Sequence, residues 1–517
     1  MKEQFFARAV ALHLDGKGDE ALAELERALL SGENSPQIHS AMGYIHYERQ
    51  QFEAAAESYR KLMELEPANG AGCFNLAVCQ EALGRWEEAA VSFERAISLD
   101  PGRKDAYLGL GTARLHLGAA RQAQEVYERL LLNEPDCEPA LFGKAVALQL
   151  QKKHTEAGEL YRRVLERNPR SEPALVNLLA LSCELKDHKT ATGYAERLLA
   201  LRPESREALQ ALTMAAFAAA DFEKAASWCK RLLQIAPECF EAWFNLGVAS
   251  QKLGNHAQAA EAYSRALQLD PSDAQALLNL GISKQENGDL EGAQQAYEKA
   301  VELAPDLVPA LWNLALVWEK RGGREEARRL YSRILEKNPD WDEARFRLGF
   351  LLLESGDARA AGEAFQACLW RRKNWPEAQL NAGLAYWRAG ELDLARDAFE
   401  KALALKPDWP DAWRGLAGIA MERGDLERAL ELQTRLIDAG ERTPELLYNT
   451  GVLLQRAGQE ADAAKLYQEA LAEKPDFAEA LLNLGLALKS LGQHDQAKEC
   501  WRKAIEAKPE LAQGYFH

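Results

Sequence analysis

No stretch of this chain is apolar for long enough to cross a bilayer. The most apolar run, Leu209 to Ala220, is alanine-rich and short, and Glu3 and Arg8 interrupt the apolar start, so neither membrane insertion nor export is indicated. Basic charge is not in excess either: 63 Lys and Arg face 79 Asp and Glu, a formal charge of −16. The summed field repels polyanions and excludes a general electrostatic footing for nucleic acid. The eight cysteines (Cys73, Cys79, Cys137, Cys183, Cys229, Cys239, Cys368 and Cys500) form no CxxC pair, which excludes a disulfide framework and a zinc site. They read as small buried apolar residues of a reducing, cytoplasmic compartment. A Gly-rich phosphate loop, a nucleophile elbow and an HExxH motif are all missing, and the nine histidines are scattered. No catalytic residue, cofactor or metal ligand is therefore assigned, and the chain reads as a non-enzyme. Linkers rich in Pro, Gly or Ser are lacking as well, so the 517 residues read as one continuous architecture.

What the sequence does contain is a strict period. Alanine stands at 21, 55, 89 and every 34th position to 497, fifteen times without an insertion. Blocks beginning at 2, 36, 70 and so on to 478 give fifteen repeats over 2–511, with 512–517 opening an incomplete sixteenth. Small residues recur at position eight of the block (Ala9, Gly43, Ala77, Gly111, and again Gly247 to Gly485). Gly occupies position fifteen in eleven of the fifteen repeats, where a first helix must end on a left-handed residue. An aromatic ring follows the invariant alanine by four residues in eleven repeats, among them Tyr59, Phe93, Tyr263 and Trp501, and its size fills the space that the small residues leave. Pro closes twelve repeats and stops the second helix. Two helices per block, each amphipathic, imply an all-α fold in which stacked hairpins share one long core. Repeats six and seven (172–239) depart most, with Lys186 and Ala220 at the glycine position and Ala195 and Cys229 at the aromatic one. These departures read as mere sequence drift or, alternatively, as a soft joint.

The pattern running from Ala242-Trp243-Phe244-Asn245-Leu246-Gly247 to Ala259, Tyr263, Ala266 and Pro271 resembles the tetratricopeptide repeat family over essentially the whole chain. That resemblance implies a right-handed superhelical α-solenoid whose first helices line a concave groove used for protein or peptide recognition. No small-molecule cofactor is implied.

Position six of each first helix points away from the inward stripe of positions four, seven, eight and eleven and is expected to be free to meet a ligand. It holds Asn75, Asn177, Asn245, Asn279, Asn313, Asn381, Asn449 and Asn483, with Arg347 breaking the series. An amide carries donor and acceptor together and can pair with a peptide bond of any sequence, or else with a neighbouring helix. The series resembles the repeat region of the O-linked N-acetylglucosamine transferases, where such a ladder holds extended substrate segments. A substrate-recruiting arm of such an enzyme, its catalytic domain absent, is therefore the alternative to a peptide-binding scaffold, and a self-assembling solenoid is a third reading.

Position thirteen alternates in sign through Lys252, Glu286, Lys320, Glu354, Arg388, Glu422 and Arg456, which predicts a ladder of ion pairs between repeats. Position nine is apolar or small, as in Val248, Ile282, Leu316, Leu384 and Val452, so the cationic clamp for chaperone tails found elsewhere in the family is missing. Trp341, Trp375 and Trp409 stand in the turns before helices, the place for a hydrophobic staple. Trp312 and Trp387, beside Asn313, Arg347 and Asn381, are the expected anchors for a protein partner. Tyr515, Phe516 and His517 restart the pattern without completing a hairpin, and an uncapped end predicts self-association.

Overall fold

The computed structural model describes residues 2–510, with side chains from residue 5 onward. The restart at 512–517, and the end-to-end association expected from it, lie outside the described residues. Among those residues the chain forms thirty α-helices, α1 (Lys2–Leu14) to α30 (His494–Ala507), and no strand. The odd-numbered helices begin at 2, 36, 70 and every 34th residue to 478, and the even-numbered ones sixteen residues later. Each pair packs as an antiparallel hairpin. Two compact units group the hairpins, Met1–Leu269 with eight and Asp270–His517 with seven. In each unit, successive hairpins stack through their helices.

Local chemistry sets the helix ends. Asp187, Asp221, Asp289 and Asp425 each accept the backbone N–H three residues on, removing one of the donors a helix start leaves unpaired. At the far end of the first helix the chain closes with two backbone bonds, as Gly254 N–H donates to Gln251 O (3.1 Å) and Asn255 N–H to Ser250 O (2.8 Å). That closure forces position fifteen into the left-handed region. Eleven glycines adopt it there, and so do the four residues that replace them: Gln50 (φ +58°), Lys152 (+60°), Lys186 (+56°) and Ala220 (+55°).

In eight hairpins the ring at position 24 lies on the glycine at position eight. A Cβ added to Gly281 would stand 2.4 Å from the Tyr297 ring, and one added to Gly383 would stand 2.7 Å from Phe399. The glycine is thus the space the ring occupies. Repeats six and seven exchange the volumes: Leu179 faces a repeat whose ring position is Ala195, and Thr213 one whose ring position is Cys229, all four buried. The largest cluster of buried apolar residues, from Leu141 to Ala262, passes through both repeats. Packing gives no support to a soft joint at 172–239. The departures from pattern compensate, and the local cost sits in the turns at Lys186 and Ala220.

A tie between hairpins recurs that the repeat pattern alone did not suggest. Arg95, Arg163, Arg197, Arg231 and Arg333 each donate from the second helix to the carbonyl of the proline 28 residues earlier, at 2.7 to 3.2 Å. Each arginine thereby fastens the turn that ends the preceding repeat.

Candidate functional site

First helices of neighbouring hairpins touch one another. Gly70–Ala82 meets Lys104–His116, which meets Glu138–Leu150; in the second unit Asp342–Glu354 meets Pro376–Arg388, which meets Pro410–Arg423. Within each unit these first helices line one face. Their positions three, four, seven, eight and ten are mostly turned into the core, and positions two, nine and thirteen lie nearer solvent.

Position six is not free. Seven of the eight asparagines are half-buried and only Asn449 is exposed. The physical reason lies in the preceding hairpin, whose ring at position 24 reaches under this residue. A Cβ on Gly109 would stand 2.3 Å from Phe93, one on Gly143 the same from Tyr127, and one on Gly415 2.4 Å from Phe399. Where that ring is a tyrosine its hydroxyl can meet the amide: Asn75 bonds Tyr59, and Asn483 bonds Tyr467. Asn483 also donates to the Tyr448 hydroxyl at 3.2 Å. Asn381 donates to the Glu377 carbonyl (2.9 Å), and the Asn279 carbonyl accepts from Gln275 (3.2 Å). Asn177, Asn245, Asn313 and Asn449 form no side-chain hydrogen bond among the described residues. An amide with two donors and two lone pairs keeps unused capacity in every one of these arrangements.

Arg347 takes the same place over Tyr331. Its guanidinium donates to Glu319 at 2.7 Å and lies 5.7 Å from the Trp312 ring centroid. Trp312 itself is clasped from two sides, stacked on Trp341 (4.7 Å, 22°) and edge-on to Tyr331 (5.6 Å, 65°). Phe346 repeats the arrangement with Trp375 and Phe365. Trp341 and Trp375 thus pack on the ring at position five of the preceding first helix. Trp387 lies over Gly418 of the next repeat and donates its indole N–H to Glu422 at 2.8 Å. Both proposed anchor tryptophans are half-buried and tied to neighbouring repeats.

The ion-pair ladder at position thirteen is a correction. Among Lys320, Glu354, Arg388, Glu422 and Arg456 no pair forms; Glu354 pairs with Arg324 (3.2 Å), and Glu422 takes the indole of Trp387. Alternating sign along a stack guarantees no contact, because long side chains on neighbouring first helices turn to nearer partners. Sequence reasoning also missed how the buried tyrosines are satisfied. Tyr161, Tyr263, Tyr297 and Tyr467 each donate to the glutamine twelve residues earlier (Gln149, Gln251, Gln285, Gln455) at 2.8 to 3.3 Å. A glutamine at position twelve in four of the seven repeats with tyrosine at position 24 was the available signal.

The apolar residues nearest solvent on this face lie at position nine. Val10, Tyr44, Met214, Phe350 and Leu486 are 40 to 55 % exposed, and Val78, Val146, Val248, Ile282, Leu316, Leu384 and Val452 are half-buried. An apolar residue on almost every first helix is a stripe along the open face in each unit, of a kind that marks interaction surfaces. Burial pushes the thiols of Cys79 and Cys229 up to about 11 and that of Cys368 up to about 12. They are protonated, non-nucleophilic packing residues at neutral pH. Among the described residues no cluster of acidic, His and Cys side chains could hold a metal ion, and no helix is long and apolar enough to cross a membrane.

Stacked helical hairpins with an open, apolar-striped face define a repeat scaffold for protein interaction. Models of the tetratricopeptide repeat match residues 5–27, 40–104, 82–147, 139–171, 240–273, 262–295, 284–345, 319–379, 380–444 and 478–511. The chain belongs to the tetratricopeptide repeat family, a fold that typically serves as a non-catalytic scaffold. No curated protein matches the sequence. Among solved structures, YrrB, described as a TPR protein with an unusual peptide-binding site, is similar at 24% identity over 37% of this chain and 98% of its own, with a TM-score of 0.35. A tetratricopeptide repeat protein from Parabacteroides merdae is 21% identical over 48% of this chain and 98% of its own (TM-score 0.33). The Cut9–Hcn1 hetero-tetramer of the APC/C is 14% identical over 89% and 98% (TM-score 0.30).

Proposed function

We propose that this chain is a scaffold that holds an extended polypeptide segment along the open face of its first helices. The observation that carries the reading is the apolar stripe at position nine, exposed at Val10, Tyr44, Met214, Phe350 and Leu486 and half-buried at seven other residues, beside largely half-buried position-six amides that retain hydrogen-bonding capacity. Apolar contact supplies affinity that is indifferent to exact sequence, and the amides supply partners for a peptide backbone. Asn75 and Asn483 spend part of their capacity on buried phenols, so the backbone-holding role is assigned to Asn177, Asn245, Asn279, Asn313, Asn381 and Asn449. Trp312, Arg347 and Trp387 position the wall beside them.

Selection of short peptides from a random display library on the whole chain tests this. Peptides recovered on the wild type should lose at least tenfold in affinity, about 1.4 kcal/mol, when Asn279, Asn313 and Asn381 are all replaced by Ala. Circular dichroism should be unchanged. Undiminished affinity together with a lower melting temperature would assign the asparagines to the stack alone.

A further inference from the structure

The open face of the first seven repeats is chemically unlike that of the later ones. At positions two, five, six, nine, twelve and thirteen of those seven first helices there is no Lys or Arg, whereas Glu48, Asp105, Glu184 and Glu207 are exposed there and Glu81 is half-buried. The second compact unit places Lys320, Arg347, Arg388, Arg414, Arg456 and Lys489 at the same positions. Cations near the first strip turn away from it: Lys144 pairs with Glu128 (2.9 Å), Arg114 with Glu94 (3.1 Å) and Arg49 with Asp19 (2.7 Å), all on second helices. The strip's carboxylates find only weak or neutral partners. Glu48 has His13 at 3.4 Å and the Tyr44 hydroxyl at 2.8 Å, and Glu184 has His154 at 3.8 Å.

A cleft of ≈ 520 Å³ opens on the same strip, across the first helices Lys2–Leu14, Pro36–Glu48 and Gly70–Ala82. Phe6, Val10, Leu14 and Tyr44 wall it, and Tyr59 and Leu62 lie at its base. Among the described residues its lining holds the carboxylate of Glu66 and no Lys or Arg. Leu14 is 81% exposed and Tyr44 50%, which leaves large apolar surfaces uncovered beside carboxylates.

Building on the polypeptide-binding reading, we propose that the first seven repeats take a cationic segment in which large apolar side chains alternate with Lys or Arg, its anchor residue seated in the cleft walled by Val10 and Tyr44. Charge complementarity selects the occupant: an acidic segment would meet like charge along the strip, and a neutral one would leave its carboxylates without a partner. Spacing follows from the stack. Touching helices stand roughly 10 Å apart, and an extended chain advances about 3.3 Å per residue, so apolar side chains at about every third residue would match the apolar residues of successive helices.

The test uses the whole chain and three labelled peptides, Leu-Lys-Ser repeated four times, Leu-Glu-Ser repeated four times and Ser-Lys-Ser repeated four times, followed by fluorescence anisotropy. The Leu-Lys-Ser peptide should bind at least tenfold more tightly than either other, and added salt should weaken it. Val10→Ser combined with Tyr44→Ser should weaken it at least tenfold, as should the exposed reversal Glu48→Lys with Glu184→Lys, while Glu400→Ser, exposed on a second helix, should leave it unchanged. Equal binding of the Leu-Glu-Ser peptide, insensitivity to both paired variants, or no binding of the Leu-Lys-Ser peptide each overturns the proposal. Display-selected peptides of other composition would then still bind if only this inference is wrong, and none would bind if the polypeptide-binding reading itself is wrong.

Discussion

Ala220→Gly should make this protein more stable, although it removes a methyl group and touches no core residue. Ala220 closes the helix Arg206–Ala218 with φ +55°, its N–H bonded to Phe217 O at 3.0 Å while Asp221 N–H reaches Ala216 O at 2.9 Å. Holding an L-residue in the left-handed region costs about 1 to 2 kcal/mol. Glycine removes that cost and adds back roughly 0.5 to 1 kcal/mol of backbone entropy lost on folding. The net gain is about 0.5 to 1 kcal/mol at that turn. The converse change is clean at Gly254 (φ +76°), where an added Cβ meets nothing within 4 Å, so Gly254→Ala should lose about the same amount through backbone conformation alone. Since a stacked array need not unfold in one step, amide hydrogen exchange at the flanking helices is the better readout, with urea melts beside it. Slower exchange near Ala220→Gly and faster exchange near Gly254→Ala are expected. Ala220→Gly that is neutral or destabilising would refute the reasoning, because no contact change is available to mask the conformational term.

Ala293, fully buried between the two helices of its hairpin, should not tolerate Leu: the overpacking is expected to cost about 1 to 3 kcal/mol, read by circular dichroism in denaturant, and an unchanged midpoint would mean that the tight helix contact is misplaced. Tyr161→Phe should cost about 0.5 to 1.5 kcal/mol by breaking the 2.8 Å bond to Gln149, and adding Gln149→Ala should cost less than it does in the wild type if the two side chains act as a pair. Burial holds the Glu81 carboxyl above its ordinary value of 4.5, with His116 opposing. The fold therefore favours the protonated acid, and stability is lost as pH rises through the raised value. Glu81→Gln should accordingly melt higher than wild type near neutral pH and no higher below about pH 4; a gap that persists in acid would assign the effect to something other than ionisation.

The repeat was legible because each signal sits within one hairpin. Alanine at every 34th residue, a glycine for the turn and a ring against a small residue all report contacts between the two helices of a single block. Position six failed for the complementary reason. Viewed around one helix it points away from its own core, yet its neighbour is the ring of the preceding hairpin, and only the stacking of first helices brings Asn75 to Tyr59 or Gly109 to Phe93. The alternating charges misled in the same way. Glu422 stands one repeat from Arg388 and from Arg456 but is reached instead by the indole of Trp387, a choice between rotamers that spacing does not encode. The exchange of volumes at Leu179 with Ala195 and Thr213 with Cys229 was visible as two anomalies per repeat, and becomes one compensated pair once both are seen to fill the same space.

Site-specific photo-crosslinking tests the central claim most directly. A benzophenone amino acid placed at Val248 or Phe350, on the open face of first helices, is compared with one at Glu302 or Glu400, exposed on second helices, each with a display-selected peptide bound. The account predicts crosslinks from Val248 or Phe350 and none from Glu302 or Glu400. Crosslinking from the second-helix positions, with none from the first, would contradict it.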